Sequence, residues 1–192
     1  MSKKITISIV EGSIYRMLEF FGEHPDREGL QETPKRVIKM YAELLGGYSQ
    51  NPAQVFKTFD SNGYKGLVTV SNIRFYSLCE HHMIPFFGKV HIGYVPNGKV
   101  LGLSKFARLT EIFSQRLQTQ ENLTNQIIDS LEKNLHPKGL IVTTEAEHLC
   151  MSMRGIKKTD CVTKTTISRG IIKKRSDLID QFYREINSKA EN

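Results

Sequence analysis

The sequence contains no tryptophan and only three cysteines, and it has no low-complexity tract or sustained run of like charges. A small, odd set of cysteines argues against a disulfide-stapled secreted domain. The N-terminal stretch MSKKITISIV lacks the cleavage pattern of an export signal, since Glu11 follows it directly. No apolar stretch approaches the roughly 18 residues that a membrane-spanning helix requires. These absences predict a cytoplasmic protein with reduced thiols and no membrane partner.

Length and composition are those of a globular protein. The 192 residues, 39% of them hydrophobic, are enough for one substantial core. The formal net charge of +7 indicates an anionic partner, and its sign alone leaves open a nucleic acid, a membrane surface or a phosphorylated metabolite. The basic residues are scattered and no recognisable nucleic-acid motif is present. We therefore expect no nucleic-acid partner.

The chain changes character near residue 50. Apolar residues at helical spacing predict a helix near residues 8–21, and Thr33-Pro34 marks the start of a second helix that ends before Gly46-Gly47. The elements predicted beyond residue 53 are strands at 67–75 and 89–95, a hairpin turn at Asn97-Gly98, a helix capped by Ser104, a helix from Leu123 to Leu135, strands at 139–155 and 161–168, and a last helix carrying Leu178, Phe182 and Ile186. We expect an N-terminal helical region over residues 1–50 and a second domain over residues 51–192.

Thiols and imidazoles concentrate in two short segments. The run CEHH at 79–82 holds one thiol and two imidazoles, and HLC at 148–150 supplies one more of each. On the strand predicted for this second region, the histidine and the cysteine share one face. Sulfur and nitrogen donors at this density are typical of zinc sites. The pattern predicts a zinc ion held by Cys79, His82 and Cys150.

Three protein ligands would leave one position of a tetrahedral ion open for water, which is typical of catalytic zinc. Such a site supplies hydroxide near neutral pH and favours hydrolysis. His81 and His148 are then spare imidazoles suited to moving protons, although His81 could instead support a ligand or be a fourth one. The competing interpretation is that the cysteines are small buried hydrophobes and the histidines ordinary residues. Their occurrence together weakens it.

A candidate anion site lies at a predicted helix start. Ser104 and Lys105, with Arg108 one turn later, would direct backbone amides, the helix dipole and two cations at one ligand. The alternative is a helix with ordinary solvated basic residues. Arg154, on the same predicted strand face as Cys150, favours the anion site. One substrate would then contact both the metal group and the cations.

Several segments taken together resemble the GTP cyclohydrolase I family. They are GEHPDREGLQETPKRVIKMY, SLCEHHMIPFFGKVHIGYVP, VLGLSKFARL, QRLQTQENLTNQI and EHLCMSMRGI, within a match over roughly residues 10–188. The resemblance implies an α+β tunnelling fold, with an antiparallel β-sheet, two long helices packed on one side and an N-terminal helical region before it. It also implies that residues 51–192 are the catalytic domain, and that the protein is a homodecamer with active sites between subunits.

The resemblance also implies a role for individual residues. These roles are zinc ligation for Cys79, His82 and Cys150; proton transfer for His81 and His148; guanine binding for Glu121 and its neighbour Gln120; contact with the ribose hydroxyls, and a part in catalysis, for Ser104; and triphosphate binding for Lys39, Lys105, Arg108, Arg154 and Arg36.

The implied reaction starts with attack of zinc-bound water at C8 of GTP. The imidazole ring opens, formate leaves, the ribose rearranges and a new ring closes to 7,8-dihydroneopterin triphosphate, the first step of tetrahydrofolate and pterin biosynthesis. One alternative is a tunnelling-fold relative that acts on another pterin or a deazapurine. A second alternative is a non-catalytic zinc module, which would need neither the spare histidines nor Glu121.

Overall fold

The computed structural model describes residues 5–188. By internal contacts the chain forms two compact units, Met1–Leu45 and Gly46–Asn192. The assignment of catalysis to the second region of the chain stays a prediction.

The first unit holds two helices, α1 (Ile7–Phe20) and α2 (Thr33–Leu44), which confirms both predicted helices. Their apolar stripes are not buried in the single chain. α1 has no buried residue and α2 buries only Pro34. Phe20 and Phe21 are 83% and 75% exposed. These helices therefore present apolar side chains at the surface of one chain.

The second unit is built on a twisted sheet with helices on its faces. Its helices and strands in chain order are β1 (Thr58–Asp60), β2 (Val68–Cys79), β3 (Pro85–Val95), β4 (Lys99–Leu101), α3 (Leu103–Ser114), β5 (Leu117–Gln118), α4 (Gln120–Leu135), β6 (Gly139–His148), α5 (Leu149–Ser152), β7 (Val162–Gly170) and α6 (Ser176–Asn187). The main sheet has the order β5-β2-β3-β6-β7 and is antiparallel except for the β5–β2 pair. β1 and β4 pair separately.

One face of the main sheet packs against α3 and α4. Phe106 and Leu109 of α3 and Leu123 and Ile127 of α4 are fully buried in one cluster with the sheet residue Val90. Burying a side chain of this size contributes roughly 1.5–3 kcal/mol. The α+β architecture, with two long helices on one side of an antiparallel sheet, is therefore confirmed.

The opposite face of the sheet is covered at one end by α6. Leu178 and Phe182 of α6 cluster with Val95 and Ile141 of the sheet. Gly93 on β3 permits this approach, since a Cβ atom there would lie 2.8 Å from the Phe182 ring. β3 is therefore buried on both faces at this end.

The strand predicted for residues 139–155 is wrong in its second half. β6 ends at His148, and the following segment forms the short helix α5. Both neighbouring strands run out there, because Phe86 near the start of β3 and Val162 at the start of β7 pair with the last two residues of β6. Without ladder partners, the backbone satisfies its polar groups in a helical turn. Cys150 and His148 therefore do not share a strand face.

The start of α3 also differs from the prediction. The N-cap is Gly102, whose carbonyl accepts a hydrogen bond from the Lys105 amide at 2.8 Å. Ser104, which the sequence predicted as the cap, lies inside the first turn and is exposed. Glycine is an acceptable N-cap, so the helix can begin before the hydroxyl residue.

His91 is a buried histidine in β3. Its side chain is 3% exposed, and its Nδ1 accepts a hydrogen bond from the Asn72 amide at 3.3 Å. Asn72 lies at a bulge in β2 and has a φ of 59°, so this bond stabilises a left-handed residue within the strand. Burial lowers the pKa of His91, because the protonated ring loses more hydration than the neutral ring.

We expect His91 to make the free energy of unfolding fall as the pH drops below about 6.5. The folded-state pKa is lower than the unfolded value, so the unfolded chain binds more protons in this range. The contribution of His91 is fully present above the unfolded pKa and is lost as the pH falls toward the folded pKa. Urea unfolding at about pH 7 and pH 5 should show that the free energy of unfolding falls less in His91→Gln than in the wild type. The control is His136→Asn at an exposed position, which should lose as much free energy of unfolding between the two pH values as the wild type does. If the free energy of unfolding depended on pH equally in the wild type and in His91→Gln, this role of His91 would be contradicted.

Candidate metal centre

Cys79 and His82 are brought together by the turn between β2 and β3. The Cys79 carbonyl accepts from the Met83 amide at 2.8 Å, and the Cys79 amide donates to the Ile84 carbonyl at 2.9 Å. Met83 has a φ of 54°, a left-handed conformation that closes the turn. The His82 Nδ1 thereby lies 3.9 Å from the Cys79 Sγ.

α5 brings Cys150 to the same place. One ligand atom from each of Cys79, His82 and Cys150 lies within 4.8 Å of the other two. Two ligands of a tetrahedral metal ion, at bond lengths of about 2.0–2.3 Å, lie roughly 3.3–3.8 Å apart. The three donor atoms therefore fit one ion after small side-chain adjustments. Two sulfurs and one nitrogen suit a transition metal rather than magnesium or calcium.

The donor group is buried on one side and accessible on the other. Cys79 is 7% exposed and packs against the main core, whereas Cys150 is half-buried and His82 is exposed. Burial raises the pKa of the Cys150 thiol, and the nearby Cys79 sulfur raises it further. A bound cation acts in the opposite direction, because it stabilises both thiolates.

His81 is close to the donor group but outside it. Its Nδ1 lies 3.8 Å from the Cys79 Sγ, and its Nε2 lies 3.8 Å from a Glu80 carboxylate oxygen. The donor atoms that converge within 4.8 Å, among the residues described, come from Cys79, His82 and Cys150 without it. Of the roles that the sequence left open for His81, this arrangement favours a neighbouring group over a fourth ligand.

His148 ends β6 in a defined environment. Its ring stacks on Phe86 with centroids 4.8 Å apart and an interplanar angle of 1°. Its Nε2 lies 2.9 Å from the Oε1 of Gln120. Burial lowers the pKa of His148, and the negative charge of Glu121 acts in the opposite direction. A half-buried imidazole is therefore held next to the segment that carries Cys150.

Gln120 and Glu121 begin α4 and have different surroundings. Gln120 is 2% exposed, and its amide nitrogen donates to the carbonyls of Thr144 and Thr163 at 2.9 Å each. Glu121 is exposed. Guanine binding by these two residues was predicted only from the resemblance to the GTP cyclohydrolase I family. The contact of Gln120 with His148 was missed, because nothing in the local pattern connects residues 28 positions apart.

The cations predicted to bind a phosphate belong to three separate segments of the chain. Arg154 follows α5 and is exposed; its charge opposes the burial that raises the pKa of Cys150, so it lies near the metal group. Lys39 and Arg36 lie on α2 in the first unit, and both are exposed.

The remaining residues predicted to contact the substrate are the two cations Lys105 and Arg108 and the neighbouring Ser104. These three residues are here called the cation group. Ser104 and Lys105 begin α3 at the end of the sheet away from the metal group, and Arg108 lies about halfway along the helix. The Leu101 amide, just before α3, donates to the Tyr94 hydroxyl at 3.3 Å. Tyr94 pairs with Val68 at the start of β2, whereas Cys79 ends that strand. α3 then runs toward the metal end of β2, because the Ser77 hydroxyl donates to the carbonyl of Arg116, just past α3, at 3.3 Å. Its 12 residues span about 18 Å at 1.5 Å per residue. Within one chain, Ser104 and Lys105 are therefore separated from the metal group by about the length of this helix.

Comparison with known proteins identifies the family. The sequence profile of the GTP cyclohydrolase I family matches residues 10–187. The chain belongs to this family. GTP cyclohydrolase 1 of Streptococcus agalactiae serotype Ia is 53% identical over 165 residues, or 85% of this chain and 88% of the relative. The Streptococcus pyogenes protein is 52% identical over 164 residues, covering 85% and 84%. The Brucella canis protein is 52% identical over 169 residues, covering 87% and 79%.

Two solved structures resemble parts of this GTP cyclohydrolase I family member. The apo archaeosine synthase QueF-Like aligns with a TM-score of 0.42 and 18% identity, over 55% of this chain and 94% of that chain. A Burkholderia thailendensis dihydroneopterin aldolase bound to guanine aligns with a TM-score of 0.37 and 14% identity, over 55% and 91%. Membership of the family rests on the sequence comparisons.

Within residues 5–188, no helix combines the length and the apolar character that crossing a bilayer requires.

Proposed function

We propose that this protein is a GTP cyclohydrolase I, a hydrolase that converts GTP to 7,8-dihydroneopterin triphosphate and releases formate. The observation that carries the proposal is the convergence of Cys79, His82 and Cys150 in a chain of this family. His148, held beside that group, adds a proton carrier. Free thiols at all three cysteines support a reducing, cytoplasmic location.

We propose zinc as the metal. Two thiolates and one imidazole match the ligands that zinc prefers, and three protein ligands leave it a position for another molecule. Bound there, zinc supplies Lewis acidity, which makes water a competent nucleophile at neutral pH. His148 would take up the proton that the attacking water loses and deliver it to the imidazole nitrogen of the purine as that ring opens. His81, exposed next to His82, would serve the later rearrangement of the ribose, together with Ser104.

Glu121 would select guanine. A carboxylate accepts two hydrogen bonds side by side, and guanine presents a ring N–H and an amino group on one edge. Adenine offers no matching pair of donors there. Glu121 is exposed at the first turn of α4, and its charge is close enough to oppose the burial that lowers the pKa of His148. The base would therefore lie within reach of the histidine that acts on it.

A second copy of the chain would complete the site. Ser104 and Lys105 lie at the start of α3, about the length of that helix away from the metal group, and Arg108 lies about halfway along it. We propose that Ser104, Lys105 and Arg108 of one subunit face the metal group of another in a homodecamer. The exposed apolar residues of α1 support assembly, since a single chain leaves them in water. Arg154, Lys39 and Arg36 are the other proposed triphosphate ligands.

The proposed reaction is tested by incubating the zinc-loaded protein with GTP. One formate per GTP consumed, and a pterin that fluoresces after oxidation, are expected. Removal of zinc with a chelator should stop both signals, and its return should restore them. A zinc-loaded protein that leaves GTP unchanged would reject the proposal and favour a non-catalytic zinc module.

Guanine recognition gives a sharper test. Glu121→Ala should raise the KM for GTP by roughly 10–100-fold, since hydrogen bonds to a charged group are worth about 1.5–3 kcal/mol. It should also reduce the preference for GTP over inosine triphosphate, which lacks the amino group. Glu111→Ala on α3, an exposed carboxylate near Gln115, is the matched control and should leave both quantities unchanged. An unaltered KM in Glu121→Ala would remove this residue from the site.

A further inference from the structure

We propose that Gln120 is a positioning residue that holds His148 in the tautomer with its proton on Nε2. This inference deepens the proposed function and rests on it for its catalytic meaning. It replaces the expectation that the Gln120 side chain binds guanine.

The orientation of the Gln120 amide follows from its own partners. The amide nitrogen lies 2.9 Å from the carbonyl oxygens of Thr144 and Thr163. Both groups accept hydrogen bonds only, so the nitrogen must face them, and its two hydrogens are then both used. The reversed amide would place its oxygen against two carbonyl oxygens in a buried site. The Oε1 atom must therefore be the atom that faces His148.

The tautomer of His148 follows from that orientation. Gln120 Oε1 is an acceptor and lies 2.9 Å from His148 Nε2, so Nε2 must carry the hydrogen. In the neutral ring, the lone pair is then on Nδ1. The Phe86 ring, stacked at 4.8 Å and 1°, fixes the plane of the imidazole. Together these contacts define both the plane of the ring and the nitrogen that is free to exchange a proton.

Burial and hydrogen bonds around the start of α4 hold Gln120 in place. It is 2% exposed and is the first residue of α4, after the N-cap Thr119. The Thr124 hydroxyl donates to the Gln120 carbonyl at 2.8 Å and lies 2.9 Å from the Thr144 hydroxyl. The start of α4 is thereby attached to β6 several residues before His148. With both amide hydrogens used and almost no exposed surface, the side chain is poorly placed to contact a base.

The test reads the tautomer directly. Zinc-loaded protein with ¹⁵N-labelled histidine is examined by magic-angle-spinning NMR without GTP, with His148 assigned by the signals lost in His148→Gln. The wild type should show a protonated Nε2 and an unprotonated Nδ1 at a pH where the ring is neutral. Gln120→Met, which has a similar length and no hydrogen bonds, should lose this single pattern. Gln120→Glu, which retains an acceptor, should keep it.

Gln126→Met is the matched control, because Gln126 lies on the same helix and its side chain accepts from Gln118 instead. It should leave the His148 signals unchanged. In turnover of GTP, Gln120→Met should lower kcat by about 10–100-fold, the usual effect of removing the partner that orients a functional histidine. KM should change little, whereas a guanine-binding residue would raise KM.

The outcomes separate the two proposals. A wild-type His148 with its proton on Nδ1, or an unchanged pattern in Gln120→Met, would overturn the positioning role even if GTP is converted. The wild-type spectrum is decisive by itself should the variants fail to fold. A protein that shows the expected tautomer and releases no formate would instead reject the proposed reaction and leave the positioning role standing.

Discussion

Cys150→Ser is expected to abolish metal binding and formate release together. A serine hydroxyl stays protonated near neutral pH and is a much poorer zinc ligand than a thiolate. Only Cys79 and His82 would remain, and their side chains do not complete a three-ligand site. We expect zinc affinity to fall by more than about 100-fold, since even the loss of an outer partner costs 10–100-fold. Metal content per chain and formate release from GTP are the measurements.

Cys161→Ser is the control for this variant. Cys161 is a free, exposed thiol just before β7 and is not part of the converging donor group. It should keep both zinc and the wild-type rate. The proposed oligomer, followed by light scattering, is expected to persist in Cys150→Ser, because the hydrophobic clusters of each chain do not include the metal. A Cys150→Ser protein with full zinc and full activity would refute the metal assignment.

His148→Ala should keep zinc and lose roughly 10²–10⁴ in kcat, the usual contribution of a general acid or base. The ring lies outside the converging donor group, so its removal leaves the three ligands in place. Formate release should fall along with pterin formation, because the proposed proton is needed when the purine ring opens. Single-turnover measurements with GTP would show where the reaction stops.

His136→Asn is the control for the loss of a histidine. His136 is exposed and ends α4 in the left-handed conformation with a φ of 50°, which asparagine tolerates well. It should retain the wild-type kcat and zinc content. A His148→Ala protein with an unchanged rate would exclude His148 from the chemistry, whereas a loss of zinc would make it a structural support of the metal.

Elements with strong periodicity could be predicted from the sequence. The apolar residues of α3 and α4 recur at helical spacing, and Phe106, Leu109, Leu123 and Ile127 are all buried. The metal group was also predictable, since thiols and imidazoles lie close together in both the CEHH and HLC segments, as is typical of zinc sites. Both signals are local, so they survive without knowledge of the rest of the fold.

Long-range pairing could not be predicted in the same way. The apolar alternation beyond His148 continues in the sequence, but a strand also needs neighbours, and β3 and β7 supply none past that point. The contact between Gln120 and His148 depends on where α4 begins relative to the end of β6. The position of the cation group relative to the metal group depends on how α3 lies along β2. Each of these features depends on how distant segments of the chain pair in the folded sheet, which a local sequence pattern does not specify.

The placement of Cys79 and Cys150 joins strands that are not neighbours. Cys79 ends β2, Cys150 follows β6, and β3 runs between these two strands. An ion bound by both cysteines would link the end of β2 to α5 across the first residues of β3. It would thereby also restrain the loop that follows α5. Withdrawing the ion should then loosen the turn after β2 and the segment after α5 as well as remove the proposed chemistry, so metal binding and the ordering of these two segments would be one event.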